Sequence, residues 1–524
     1  MGMASRANLV NLDAMITRAD FASDQSSESS FENVSTISVR DFTQGGLIGP
    51  SLRKPDFQRE TNHWSPDQVT SLLECFTSGD LIPSVILWQS PTYLFVIDGG
   101  HRLSVIRAWI EDDYGDGPLS QSYFGGEISR EQKKIAEKTR RLVNSRIGSW
   151  QHFSAKLGTD NLDALERKKM NTVISRGIPI QWVKGDADKA ESSFFKINTK
   201  GTPLDDIEEL LLRSRKKPVS IAARAIIRSG KGHKYWSSFS ADKAIRLEEA
   251  AKALHNTLFE PEINPPIKTL DLPLGGSKGV RIALQVLMEF LVIANRDYQG
   301  MPKKVDDMEE DHDGSATIFA LQRGIKLASR ITGNDKGSLG LHPAVYFYGP
   351  SGRHSSPMFM GTMDLISSKI VNNDKDFFKK LITVRADLEE ILIENKDLMA
   401  TILQKNMHTK RASTYSRLLE EIIDSLANGI TPNEQFLVDK SGLAGKILTG
   451  SDKAGSTHFS DETKSQAFIY AALKAAMKCP ICGGYLDPSK SVSYDHIVRK
   501  SEGGEGALGN CQLTHPYCNQ SIKN

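Results

Sequence analysis

Apolar residues return at helical spacing along most of this 524-residue chain, and β-prone runs interrupt them near the N-terminal end. Val69, Leu72, Leu73 and Phe76 share one helical face. Ser65, Pro66 and Gln68 precede them as a helix start: Ser as N-cap, Pro at the first position, Gln reaching back from the third. Two β-prone runs follow at 85–88 and 93–97, parted by a Ser90-Pro91 turn. The second run leads straight into Asp98, Gly99, Gly100, His101 and Arg102, where another helix opens. Farther on, residues 222–227, 247–258 and 282–294 read as helices, and 374–426 as one long helical pattern stopping at Asn428-Gly429. Its acidic Glu389-Glu390 and basic Lys405, Lys410, Arg411 and Arg417 are able to form salt-bridged faces. The aromatic run 341–348 is assigned to core packing, and 460–477 to a helix that delivers the chain to its last module.

Polar stretches divide these patterns. Residues 1–34, with a Ser-rich run from Ser23, bury too little apolar area to offset their ordering entropy and read as a mobile arm. Residues 429–459 are rich in Gly, Ser and Thr and read as a flexible tether. The expected organisation is therefore an arm (1–34), an αβ domain (35–217), a helical region (218–428), a linker (429–459) and a C-terminal domain (460–524). The fold class is α+β multidomain. Residues 306–313 read as an exposed acidic loop, and the Lys/Arg-rich 129–146 as a solvated surface. The basic run Arg213 to Lys217 is a candidate DNA-backbone contact.

A formal net charge of +2 means that nucleic-acid binding must come from local patches. No apolar run reaches membrane-spanning length and no signal-peptide pattern opens the chain, so a cytoplasmic, membrane-free protein is expected. Five cysteines, four of them after residue 478, point to a reducing compartment and a metal site rather than to disulfides. Cys75 reads as packing.

The chemistry concentrates in the last forty-six residues. Cys479 and Cys482 stand two residues apart, as do His515 and Cys518. Two such half-sites are what tetrahedral zinc takes from two tight turns. A redox reading of Cys479-Pro480-Ile481-Cys482 would require a βαβ setting at the start of a helix, which is lacking here. Between the half-sites lie Asp495, His496, a Gly503-Gly504 turn and Asn510, and Asn519 follows the last ligand. This order resembles the HNH (ββα-metal) endonucleases. The resemblance implies a zinc-stapled hairpin and helix, with His496 as general base and Asp495 and Asn519 as ligands of Mg²⁺ or Mn²⁺. Asn510 would brace the loop that aims His496.

The second candidate site is the strand-to-helix junction at Asp98. Two glycines let a ligand approach the backbone, the helix start offers N–H groups to an anion, and Arg102 can pair with phosphate. Arg102 also opposes the helix dipole, which an anion would offset. The alternative is a tight turn with Arg102 in a salt bridge, and the residues alone do not choose.

Phe57, Gln58, Arg59, Trp64, Ile82-Pro83, Asp98 to Leu103 and Asn198 to Gly201 resemble the ParB/sulfiredoxin-like domain with a DGQQR signature. That domain occurs in modification-dependent restriction systems of the GmrSD kind, often joined to an HNH domain. Gly100 and His101 replace the two glutamines of the signature. The resemblance implies a nucleoside triphosphate held by Gln58, Arg59, Asp98, Gly99, Gly100, His101, Arg102 and Asn198. It further implies an anti-phage restriction effector acting on double-stranded, modified phage DNA, with a homo-oligomer or two nicks needed to cut both strands. A nucleotide-regulated DNA-binding switch with little or no nuclease activity is the alternative.

Overall fold

The computed structural model describes residues 9–21, 34–43, 45–58, 61–62, 64–126, 128–156, 162–200, 206–263, 265–277, 280–296, 303–444 and 459–522. They form two compact units. One runs to Arg215 and adds Lys231–Tyr235; the other holds Lys216–Gly230 and everything from Trp236 onward.

The first unit is built on a six-stranded mixed sheet. Its strands are β1 (Arg18–Ala19), β2 (Thr36–Ser38), β3 (Leu52–Pro55), β4 (Val85–Gln89), β5 (Leu94–Asp98) and β6 (Gly177–Trp182), in the order β1-β3-β5-β4-β6-β2. β4 and β5 form the antiparallel pair expected from the two β-prone runs, with Trp88 opposite Phe95. Both faces of β5 are covered, because successive strand side chains point opposite ways. Leu94 and Val96 join one apolar core, Phe95 and Ile97 the other. Helix α1 (Pro66–Ser78) starts as the sequence requires: Gln68 N–H donates to Ser65 Oγ at 3.3 Å, and Ser65 N–H donates to Gln68 Oε1 at 2.9 Å. Helix α2 (Gly100–Glu111) packs beside it in the first core.

The arm expected at 1–34 is corrected over residues 9–21. Val10, Leu12, Met15 and Ile16 are buried, and β1 pairs in parallel with β3. Asp13 holds this segment, accepting from Lys54 Nζ at 2.7 Å, from Tyr123 Oη at 3.0 Å and from Arg18. Charged residues that pair inside a core look solvated in a sequence, which is why the segment read as polar. Arg215 pairs with Asp56 at 3.6 Å and Glu191 at 3.0 Å, so its charge is engaged within the unit. Across 129–146, Arg140 binds Asp112 and Asp116 at 3.0 and 2.6 Å, and Arg141 pairs with Glu137.

The second unit is helical and carries the C-terminal module within it. The buried helix Pro218–Ile227 packs with Ala241–Phe259, Val280–Ala294 and Ser315–Ile331, and Ser356–Val371 packs with Arg411–Ala427. The single pattern over 374–426 is four α-helices, Lys375–Thr383, Arg385–Glu394, Lys396–Lys405 and Arg411–Ala427. Glu389 is wholly buried and paired with Arg385. Asp311 is buried too: it accepts from Thr317 N–H at 2.7 Å and caps the helix that follows the acidic loop. Part of the expected tether is ordered, since Glu434–Lys440 is a helix with buried Leu437 and Val438; residues 445–458 lie outside the described residues. The helical region and the C-terminal module belong to one compact unit. No helix among the described residues is long and apolar enough to cross a membrane.

Candidate metal centre and active-site hairpin

The C-terminal module begins with a tight turn. Cys479 N–H donates to Gly484 C=O and Gly483 N–H to Cys479 C=O, each at 2.8 Å. This folds Cys479 and Cys482 onto the second half-site. The ligand atoms of Cys479, Cys482, His515 and Cys518 all lie within 4.8 Å of one another, and all four residues are buried. His515 Nδ1 stands 3.3 Å from Cys482 Sγ and 3.8 Å from Cys518 Sγ. Tetrahedral zinc with its usual bond lengths of about 2.3 Å to sulfur and about 2.0 Å to nitrogen spaces its ligands at about these distances. His515 Nε2 lies 3.0 Å from Tyr485 C=O, a bond that places its proton there and leaves Nδ1 facing the sulfurs. In the protein's own field the thiols titrate unequally. Hydrogen bonds with Cys482 and Cys518 hold Cys479 far below the ordinary thiol range, while the bond to Cys479 pushes Cys482 up to about 11 and Cys518 is raised as well. A divalent cation lets all three ionise together, so this donor set fits structural zinc.

Strands β7 (Ser493–His496) and β8 (Cys511–Thr514) form an antiparallel hairpin in which Asp495 faces Gln512 and His496 faces Cys511. Asp495 is 7% exposed, and its Oδ2 accepts from Gln512 Nε2 at 2.7 Å. Asn519 lies on the short helical turn Cys518–Ile522. Its amide nitrogen donates to Ser493 Oγ at 2.8 Å and Tyr494 C=O at 3.1 Å, which turns its oxygen the other way. Asn519 is thus tied to β7 at Ser493 and Tyr494, the two residues before Asp495. The carboxylate and amide oxygens make a hard donor pair of the kind Mg²⁺ takes. His496 is half-buried at the last paired position of β7, directly after Asp495. Asn510 ties the intervening loop: Val498 N–H donates to its Oδ1 at 2.6 Å, and its Nδ2 donates to Val498 C=O at 3.1 Å and Glu505 C=O at 2.8 Å.

Three supports escaped the sequence reading: Gln512, Ser493 and the Tyr485 carbonyl. Gln512 could have been found only from the register, which the long loop between the strands conceals. Ser493 was accessible as the residue two before Asp495 on an alternating strand.

In the first unit, the Asp98 junction takes the tight-turn form. Gly99 has φ +92°, and a Cβ there would stand 2.6 Å from Val85 Cγ1, so the position requires glycine. Arg102 Nη2 donates to Asp98 Oδ2 at 2.7 Å and to Ser84 C=O at 3.1 Å. The carboxylate four residues earlier thus offsets the unfavourable arginine at the helix start. Gln58 Nε2 donates to Val96 C=O at 3.0 Å, and its buried Oε1, which no described donor reaches, lies against Gly100. His101 stacks on Trp64 with ring centroids 5.5 Å apart. Gln58 and the Asp98–Arg102 turn therefore meet; Arg59 and the side chain of Asn198 lie outside the described residues.

Comparison with known families decides what these two sites belong to. Residues 39–215 match the family model described as GmrSD restriction endonuclease, N-terminal domain, and residues 479–524 match that of HNH endonuclease. The chain carries a GmrSD-type N-terminal domain and an HNH nuclease domain. The cysteine-histidine cluster and the β7–β8 hairpin lie inside the HNH match, and the Asp98 junction lies inside the GmrSD match. No curated protein and no solved structure matched the chain.

Proposed function

We propose that this protein is a metal-dependent DNA endonuclease of the restriction type, whose GmrSD-type domain binds a nucleotide or senses modified phage DNA and so controls cutting by the HNH domain. What supports this reading is the β7–β8 hairpin inside the HNH match, where Gln512 holds Asp495, His496 follows it, and Asn519 bonds to Ser493. In-line hydrolysis needs its base and its leaving-group stabiliser on opposite sides of the phosphorus. His496, at the end of β7, is assigned the base, and the Asp495–Asn519 pair the ion on the leaving-group side. The His496 imidazole takes the proton of the attacking water as the new P–O bond forms and the bond to the leaving oxygen breaks. Asp495 and Asn519 would hold a Mg²⁺- or Mn²⁺-like ion, which neutralises the phosphate and steadies the departing oxyanion. Gln512 and Ser493 keep the two ligand side chains oriented.

Control by the GmrSD-type domain would centre on the start of α2. A helix start suits a phosphate, and Gln58 Oε1 offers an acceptor beneath Gly100. The engagement of Arg102 with Asp98 assigns it first to holding the loop.

Purified protein incubated with modified and unmodified phage DNA, with and without each nucleoside triphosphate, tests the proposal. Mg²⁺- or Mn²⁺-dependent breaks whose rate changes with nucleotide or modification are expected, and Arg102→Ala should remove the nucleotide effect. Breaks scored on both strands separate nicking from double-strand cleavage, since one HNH centre cuts one strand. Absence of metal-dependent cleavage on every substrate would favour the DNA-binding switch instead.

A further inference from the structure

The zinc knuckle rests on a buried ion pair of the helical region. Arg385 and Glu389, one helical turn apart on Arg385–Glu394, are both completely shielded from solvent. Every polar arm of the pair has a defined partner. Arg385 Nε donates to Glu389 Oε1 at 2.7 Å, Nη1 to Leu339 C=O at 2.6 Å and Nη2 to Gly340 C=O at 2.9 Å. Tyr346 Oη donates to Glu389 Oε1 at 2.9 Å. The second carboxylate oxygen, Oε2, accepts from Tyr485 N–H at 2.6 Å. That residue's carbonyl is the one His515 Nε2 meets at 3.0 Å.

A continuous line of bonds thus runs from Glu389 through the Tyr485 residue to a metal ligand. Contact on this face is close. A Cβ on Gly484 would stand 2.5 Å from Arg385 Nε, and one on Gly340 would stand 2.8 Å from His515 Cδ2. Tyr517, between the ligands His515 and Cys518, donates its N–H to Ser338 C=O at 2.9 Å. Burial works against the Arg385 charge, and Glu389 beside it more than restores it, holding the guanidinium above its ordinary range.

A buried ion pair yields little net stability over well-packed apolar residues, because desolvation cancels most of the attraction. What it does supply is fixed geometry. Metal-bound histidines depend on such outer partners for ring orientation and tautomer. We propose that Glu389 and Arg385 are positioning residues of the zinc centre: acting through Tyr485, they set the ring of His515, so the helical region completes a metal site whose four ligands all come from the HNH domain. This goes beyond the nuclease reading and does not depend on it.

The test uses the full chain. Glu389→Gln keeps the side-chain volume but cannot accept from both Arg385 Nε and Tyr485 N–H. Zinc affinity, measured by chelator competition, is expected to fall about 10- to 100-fold. The visible spectrum of the Co²⁺-substituted protein should shift with the altered ligand ring. Leu418→Ala, in the buried core of Arg411–Ala427, is the control: it lowers the unfolding temperature and leaves zinc affinity and the Co²⁺ spectrum unchanged. Should Glu389→Gln not fold, Tyr346→Phe removes one donor to the same carboxylate, and a smaller drop in zinc affinity in the same direction is expected. Wild-type affinity and spectrum in whichever variant folds, or equal weakening in Leu418→Ala, would overturn the proposal.

Discussion

His496→Ala is expected to slow DNA cleavage about 10²- to 10⁴-fold, the contribution of a positioned general base. That corresponds to about 3–5 kcal/mol of transition-state stabilisation. The fold should survive, because His496 is half-buried at the end of β7 and is not one of the four clustered ligands. Zinc content, thermal unfolding and DNA binding should therefore match the wild type, with the loss confined to the single-turnover rate at saturating DNA and Mg²⁺. Asn510→Ala gives a useful contrast. It removes three bonds that close the loop behind His496, so both the rate and the stability of the hairpin should fall. A His496→Ala protein that still cuts at the wild-type rate would remove the proposed base. Residual cutting that disappears on mutating Asp98 would move the chemistry to the N-terminal domain.

Removing zinc should have the second large effect. Cys518→Ser, or a strong chelator, is expected to unfold the segment from Cys479 onward and abolish cleavage. Structural zinc contributes about 10–16 kcal/mol of binding free energy to small modules, far more than so short a segment can replace by burial. The described strands of the HNH domain are two four-residue runs, and exposed Tyr494, Ile497, Val498 and Leu508 show how little of it forms an apolar core. One zinc per chain is expected by elemental analysis. Cys75→Ser and Cys511→Ser should keep it, since neither residue is in the cluster. Full activity in zinc-stripped Cys518→Ser would contradict the structural role.

Local patterns in the sequence carried far where a feature depends on near neighbours. The capping box of α1, the β4–β5 runs and the two ligand half-sites all sit within a few residues of the partners that define them. Long-range pairings were hidden. Glu389 and Arg385 stand four apart, as surface ion pairs do, and nothing nearby marks them as buried against Tyr485 and Gly484. The segment 9–21 looked solvated because Asp13, Arg18 and Lys54 neutralise one another inside the first unit. Arg102 could equally have met a phosphate or Asp98, since a helix start serves either anion. Of the charged residues picked out in 374–426, Glu390, Lys405, Lys410 and Arg417 are exposed and Glu389 alone is buried, since four helices replace the one on which the faces were drawn.

The central claim is that Asp495 and Asn519 hold a hard cation beside His496. Mn²⁺ binding to zinc-loaded protein, followed by electron paramagnetic resonance, tests it most directly. The account predicts a bound Mn²⁺ in the wild type and in His496→Ala, lost together with cleavage in Asp495→Ala. Wild-type Mn²⁺ binding in Asp495→Ala, or cleavage that persists without any added divalent metal, would contradict it.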